Sequence, residues 1–542
     1  MKKRRFALVG VVFMALSIIA SSTFAAQYSL GDDSDVNILG SLSNQFQYGI
    51  GDDEYDTQPG FQQWLTSFQL MMDFNLGQDL SAYLSGIATV DWAYNINENN
   101  DDWKDKNFDE SDENLYFDDE WWQLLSEAHV TYSPGKFLFR VGKQIVKWGE
   151  MEGSVVLDQI NPTDDRRGFG DVEFETATIA IPMIRAEYWP DIYTDVFSAP
   201  NIQFLFIPNT PYLPSTPESG GYFGSDVGGI YAYNYAEDGE RWGRNEYDID
   251  DPDDMDSDYF EYGLKLSTQI KGSILSFVGF YGRENSPALT FDYETPGSPV
   301  LPYLGYTEDT FTGWDPTYTY PIYAEYDDDG NGIGNYLLTG EYPRQKFVGA
   351  SLSTELSPLK ISAIGGTAPL LRLESRYDID KTFVDDNFAN DYLDYYYTWY
   401  VPDFSLLGDP FVESDYWVNG ISIEQKVKLP WLQKAYFFLS FEYTQSKVMD
   451  YDSDWSFKEQ SESYLGYIST SYFNGKLAPE LYWQRVVDAP GVDGTADLYW
   501  PGVYYYWSSS LNFYVGAGLF EGEGADPITN KDYAVFKVNY SF

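Results

Sequence analysis

Apolar and polar residues alternate with a period of two along much of this chain, the spacing of a β-strand whose two faces meet different surroundings. Ile38, Leu42, Phe46 and Tyr48 fall on one face, and Asn37, Ser41, Ser43, Gln45 and Gln47 on the other. Trp64, Phe68, Leu70, Met72 and Phe74 then oppose Ser67, Gln69, Asp73 and Asn75. After the short turn Gly77-Gln78-Asp79, Leu80, Ala82, Leu84, Ala88, Val90 and Trp92 alternate with Ser81, Ser85, Thr89 and Asp91. The runs reach about 10 residues, the span of a tilted membrane strand, which is long for a strand of a soluble sandwich.

The same pattern predicts strands beginning near residues 36, 63, 79, 120, 136, 176, 201, 259, 273, 344, 360, 416, 434, 461, 477, 499, 511 and 531, eighteen in all. Pro182, Pro190 and Pro200 interrupt the pair across 176–208, and without that pair the number is 16. Tight links at Ser133–Lys136, Lys271–Ser273, Ser357–Lys360, Leu429–Gln433 and Phe473–Lys476 alternate with long irregular segments at 95–119, 208–258, 285–343 and 377–415. Loops of that length are unusual in a compact soluble domain. Short turns at one end and long loops at the other are the habit of bacterial outer-membrane barrels. The expected fold is therefore all-β: a transmembrane antiparallel up-and-down β-barrel of about 18 strands, with short periplasmic turns and long extracellular loops. Rings at stave ends, such as Tyr48, Trp64, Tyr132, Trp417 and Trp483, suit the headgroup level. The last strand alternates Ala534, Phe536, Val538, Tyr540 and Phe542 with Val535, Lys537, Asn539 and Ser541. Its terminal Phe542 resembles the signal that delivers such barrels to the barrel-assembly machinery.

Residues 1–25 read as a signal peptide, leaving 26–542 as the barrel: Lys2, Lys3, Arg4 and Arg5 precede an apolar run and Thr23-Phe24-Ala25. Cleavage would remove four bases and no acids, taking a net charge of −52 to −56. That charge argues against nucleic acid, and 18% aromatic content argues against disorder. A mean hydropathy of −0.38 is compatible with a barrel, whose inward residues stay polar. Cysteine is absent, which excludes disulfides, thiolate metal sites and a lipid-anchor cysteine.

Sorting by face places the charges Asp73, Asp91, Glu127, Arg140, Glu261, Lys265, Glu355, Arg372, Glu374, Arg376, Glu424, Lys426, Glu442, Glu480 and Lys537, with the neutral Gln144, towards the lumen. Lysine or arginine facing mid-bilayer lipid would cost about 2–4 kcal/mol each, so these charges must meet water or one another. They either line a path for solutes or pair across strands and stiffen the wall. The single histidine, His129, lies mid-strand beside Glu127 and reads as a wall residue. There is no Gly-x-Ser-x-Gly elbow and no phosphate loop, so no enzyme is expected.

The least repetitive stretch runs from Phe137 to Gly168, where Arg140, Lys143, Lys147, Arg166 and Arg167 stand out in an acidic chain. Arg140-Val141-Gly142-Lys143-Gln144, Trp148-Gly149-Glu150 and Ile160-Asn161-Pro162-Thr163-Asp164 together resemble an uncharacterised porin-like outer-membrane family. That family is known as a domain of unknown function, akin to alginate-export-type barrels in its Gly-x-Gln to Trp-Gly spacing. The resemblance implies an outer-membrane channel without an established substrate. After one ordinary strand, Trp148, Asn161, Asp164, Arg166 and Arg167 are the candidates for a constriction, either folded inward or capping an external loop. Lys143 falls on the lipid-facing parity, so it belongs at the rim or marks a bulge.

One outer segment has Asp327, Asp329 and Asn331 followed by Gly332, the first half of a calcium loop. The acid expected at its twelfth position is Leu338, with Glu341 three residues late, so a solvated acidic turn is the competing reading. Acidic loops could also share divalent cations with lipopolysaccharide phosphates. The expectation is a channel or porin in the outer membrane of a Gram-negative bacterium, passing small solutes through a charged lumen. The alternative is a surface receptor, adhesin or structural barrel around a partner protein, with cation-binding acidic loops.

Overall fold

The computed structural model describes residues 26–31, 33–50, 60–92, 124–163, 178–194, 196–208, 233–235, 241–250, 257–285, 288–291, 324–326, 332–360, 366–385, 411–428, 435–453, 455, 457–488, 494–523 and 532–542. Its first barrel strands are β1 (Ser34–Gly49), β2 (Gly60–Asn75), β3 (Leu80–Asp91), β4 (Leu125–Tyr132), β5 (Phe137–Gln144) and β6 (Ile181–Tyr188). Then come β7 (Phe197–Ile207), β8 (Glu261–Ile270), β9 (Ser273–Arg283), β10 (Arg344–Glu355), β11 (Leu370–Val384) and β12 (Phe411–Lys428). The ring is completed by β13 (Tyr436–Val448), β14 (Gln460–Ser469), β15 (Leu477–Val487), β16 (Thr495–Tyr506), β17 (Leu511–Glu523) and β18 (Tyr533–Ser541).

Each strand pairs antiparallel with its chain neighbour, and β18 closes on β1 from Ser541 opposite Ser41 to Tyr533 opposite Gly49. The terminal residue lies in this seam: Phe542 and Gly40 exchange backbone hydrogen bonds of 2.8 and 2.9 Å. Closure leaves no unpaired edge, which a bilayer would not tolerate. A short segment, Ala26–Gly31, pairs only with the start of β1 and stands outside the ring of eighteen.

The alternation places apolar groups outside and polar groups inside. Phe204, Phe277, Ile421 and Phe441 are exposed, while their sequence neighbours Gln203, Ser276, Ser422 and Glu442 are buried. This is the reverse of a soluble domain and the surface of a transmembrane barrel. The chain is a multi-pass transmembrane β-barrel of the outer-membrane type. Among the described residues no helix is long and apolar enough to cross a membrane.

The proline-bearing pair is present, so the ring has eighteen strands and not sixteen. Pro182 lies beyond Ile184–Phe206, the last rung that β6 shares with β7, where a missing N–H removes no ladder bond on that side. Pro200 sits at a bulge, opposite the register shift between Ser267 and Gln269 and beside Ala199 at φ 49°. One boundary is corrected. The strand expected near 360 begins at Leu370, because a 3-10 turn at Ser357–Leu359 intervenes and the Leu356 N–H donates to the Pro369 carbonyl at 2.8 Å. The link read as Ser357–Lys360 is therefore a longer connection. The strand expected near 120 begins at Leu125, with residues 120–123 outside those described.

Five short strands in the two longest outer connections form a separate small sheet. They are Tyr233–Tyr235, Arg241–Asp250, Ala288–Phe291, Ala324–Tyr326 and Gly332–Glu341. Arg241–Asp250 and Gly332–Glu341 run parallel within it.

Candidate functional site

The feature that sets this interior apart begins at the end of β5. Gly142 has φ +132°, and a Cβ there would stand 2.2 Å from the Ala128 carbonyl oxygen, so only glycine fits. Lys143 follows on the outward parity at the outer rim, where its ammonium donates to the Leu125 carbonyl at 2.7 Å. Gln144 turns inward, fully buried, and donates to the Met183 carbonyl at 3.1 Å.

From Ile145 the chain enters the barrel, and it returns to the rim at Thr163, which bridges to Thr178. Asn161 clips the two ends of this excursion together. Its amide donates to the carbonyls of Gln144 (3.2 Å) and Ile179 (2.8 Å), and its side-chain oxygen accepts the Val146 N–H at 2.8 Å. Inside, Asp158 Oδ1 accepts the N–H groups of both Trp148 and Gly149. These local bonds replace the ladder that a non-repetitive segment lacks.

The wall holds the segment in two ways. Apolar packing comes first: Trp148, Val156, Leu157 and Ile160 are buried and form one cluster with Leu205, Val278, Phe280 and Phe347 of the wall. The Trp148 ring meets Phe280 and Phe347 edge-on at 6.3 and 6.4 Å, and its indole N–H donates to Gln203 at 2.7 Å. Three glycines on the inner face make room. A Cβ at Gly263 would stand 2.8 Å from Trp148 Cη2, one at Gly349 2.5 Å from Leu157 Cδ2, and one at Gly420 2.5 Å from Met151 Sδ.

Carboxylates supply the second hold. Glu374 Oε1 on β11 accepts the backbone N–H of Glu150 and, at 2.9 Å, that of Met151. Glu442 Oε1 on β13 accepts those of Glu152 and Gly153, each at 3.3 Å. Cations take the carbonyls: Lys265 Nζ donates to Trp148 O at 3.0 Å and Arg376 Nη1 to Val156 O at 2.7 Å. Arg376 also pairs with Asp378 at 2.8 Å, and Arg372 bridges Glu424 to Glu152, the latter at 3.3 Å. A hydrogen bond to a charged group contributes about 1.5–3 kcal/mol net, so these bonds together fix the segment's path.

Several lumen charges expected from sequence are thus brought together at the segment: Lys265, Arg372, Glu374, Arg376, Glu424 and Glu442. Glu127 accepts the Ile145 N–H at 3.2 Å where the segment begins. Arg140 donates to Thr131 at 2.9 Å, and Glu261 accepts the Arg283 N–H at 3.0 Å. Asp73 and Lys426 occupy exposed inner-face positions, and Lys537 is buried between β17 and β1. The Asp91 side chain lies outside the described residues. His129 stacks on Tyr83 at 5.4 Å as part of the wall.

The constriction candidates need correction. Trp148 faces the wall and not the opening, because the room beside Gly263 and the acceptor on Gln203 draw the indole there. Asn161 is a clip at the rim. Asp164, Arg166 and Arg167 lie outside the described residues, as do Asp327, Asp329 and Asn331. Among the described residues no acidic, histidine or cysteine cluster could hold a metal. The segment instead leaves Lys147, Glu152 and Val155 exposed; the Glu152 side chain, which reaches Arg372 at its edge, is 71% exposed. The sequence signal for the buried half is the apolar pair Val156-Leu157 with Ile160 in a stretch of no strand period.

Residues 11–542 match the model of a family described as a protein of unknown function, DUF1302. No curated protein matches. Similar solved chains include OccAB3 of Acinetobacter baumannii, at 10% identity, covering 94% of this chain and 99% of that one, TM-score 0.45. OccD3 (OpdP) of Pseudomonas aeruginosa is similar at 10% identity, 96% and 93% coverage and TM-score 0.42. OmpF of Salmonella typhi, solved in complex with daunomycin, is similar at 10% identity, 95% and 100% coverage and TM-score 0.37.

Proposed function

The chain belongs to the DUF1302 family, and we propose that this member is an outer-membrane channel for small solutes whose passage is set by the inward segment 145–163. The observation that carries this reading is the seating of that segment. A loop whose amides are taken by Glu374 and Glu442, and whose apolar side chains fill niches at Gly263, Gly349 and Gly420, has a fixed position inside the ring. A fixed segment narrows a lumen reproducibly and leaves chosen side chains facing the remaining space. Lys147 and Glu152 are those side chains, so charge as well as size would select what passes.

A closed ring of eighteen strands is wide enough for water to fill what the segment leaves. Solutes would enter past the outer connections and leave between the short turns. We infer that β18, which ends at the Gly40–Phe542 seam, is also the strand read during assembly.

Reconstitution into planar bilayers tests the reading. Folded protein should give discrete conductance steps in potassium chloride. Deleting the segment between Val146 and Ile160 should raise the unit conductance. Folded protein that gives no conductance steps at all would overturn it.

A further inference from the structure

On the channel reading, the half of the wall that the inward segment leaves uncovered has a chemistry of its own. The segment's apolar side chains are engaged with β6 to β12, and its furthest reach is Gly153 against Leu465 on β14. Beyond that edge, the inner positions of β14 to β17 carry rings. Tyr467, Tyr482, Trp500 and Tyr504 are half-buried and Tyr506 is 40% exposed.

Their inward placement follows from the register. Tyr467 pairs with Tyr482 and Tyr482 with Trp500, on the same face as buried Leu498 and Tyr514, while their neighbours Ile468, Leu481 and Tyr505 are exposed outside. Tyr482 meets Trp500 at 5.2 Å, and Trp500 is backed by buried Phe520 at 6.1 Å, which in turn meets buried Tyr533 at 6.1 Å. Nearer the periplasmic end, Tyr514, Tyr504 and Tyr506 follow one another at 4.6 and 6.0 Å. By contrast, the inner face of β1 to β3 is largely polar, with Gln45, Gln63, Ser67, Ser85 and Thr89, and its ring Tyr83 is stacked on His129.

A water-filled lumen is ordinarily polar, and ring faces left toward it are not needed to close the barrel. Two polar handles on this stripe are already occupied. Tyr467 OH donates to Glu480 at 2.9 Å and the Trp500 indole N–H donates to Tyr533 OH at 3.1 Å. What the stripe offers is chiefly π-surface, with the Trp500 and Tyr467 donors engaged, and that suits a flat aromatic ring better than a polyhydroxylated one. We propose that the inner faces of β14 to β17 form a lengthwise binding track for small neutral solutes carrying an aromatic ring.

The test uses the full-length protein in planar bilayers, with resorcinol as the aromatic probe and inositol and maltose as polyhydroxylated ones. Resorcinol should reduce the potassium chloride current at concentrations where inositol and maltose do not. Trp500→Ala and, separately, Tyr504→Ala should raise its half-blocking concentration about threefold to tenfold, the range of one lost ring pair. Tyr505→Ala, on the lipid face of the same strand, should leave it unchanged. Heat-modifiable gel mobility reports whether each variant is folded, and either ring variant alone decides the matter. Channels that conduct but are blocked equally by resorcinol and inositol, or more strongly by maltose, overturn the track and leave the channel reading standing. Equal block of parent, Trp500→Ala and Tyr504→Ala also overturns it. Folded protein without conductance overturns the channel, and the track with it.

Discussion

Glu374 and Met151 are 223 residues apart in sequence, yet the Glu374 carboxylate receives the Met151 backbone N–H at 2.9 Å inside the barrel. The same oxygen takes the amide of Glu150. A carboxylate placed under two consecutive amides of a non-repetitive segment acts as a substitute for the strand ladder, and it ties β11 to the segment that narrows the ring.

Replacing that carboxylate should therefore loosen the segment without opening the barrel. Glu374→Ala removes two charge-assisted hydrogen bonds, each contributing about 1.5–3 kcal/mol. The expected outcome is a higher and noisier unit conductance with unchanged heat-modifiability. A normal, quiet conductance in Glu374→Ala would show that the apolar seat alone fixes the segment.

The apolar seat has its own test in Trp148. Trp148→Ala abandons a fully buried ring, its contacts with Phe280 and Phe347 and its bond to Gln203. Truncating a buried tryptophan costs about 3–5 kcal/mol. That loss falls on the segment and not on the strand ladders, so we expect protease sensitivity confined to 145–163 and a larger conductance. Global loss of heat-modifiability in Trp148→Ala would place the indole in the barrel's own stability instead.

Crowding the seat should act in the same direction. Gly420 lies beneath Met151 and Val156, whose atoms would stand 2.5 and 2.9 Å from a Cβ. Gly420→Val forces either a shifted segment or a strained strand, at about 1–3 kcal/mol for overpacking. Limited proteolysis of the folded variant should detect the shifted segment. A variant indistinguishable from the parent would mean the segment tolerates displacement.

These relationships explain which parts of the molecule could be read in advance. Alternation such as Phe277 against Ser276 is enforced at every rung by lipid on one side and polar surroundings on the other, so strand positions are written locally. The proline pair was open between two readings because tolerance of Pro182 depends on where β7 stops pairing, which is a property of the neighbour. Leu370 as the start of β11 was missed because Gly366 to Pro369 close a turn through Leu356 and not through a recognisable tight-turn sequence. The lumen charges were assigned to the inner face by parity, but parity says nothing of partners. Glu374 and Glu442 as amide acceptors depend on a segment with no period, held by residues more than 200 positions away. Trp148 illustrates the same limit: its prominence marked the segment, while the niche that turns it to the wall is a glycine on β8.

The side chain that faces the opening gives the sharpest prediction on selectivity. Glu152 is anchored by its own amide to Glu442, so its backbone position is fixed, while its carboxylate is largely exposed and lies 3.3 Å from Arg372. Arg372 is already paired with Glu424, so the Glu152 charge is not cancelled one for one. A negative group at the edge of a narrowed passage attracts cations and repels anions over about 8 Å at physiological salt. Glu152→Gln should move the zero-current potential in a potassium chloride gradient towards the chloride side, and Glu152→Lys should move it further. The shift should shrink at 1 M salt, where screening falls to about 3 Å. Unchanged reversal potentials in Glu152→Lys at low salt would place the narrowest point away from the segment's exposed edge.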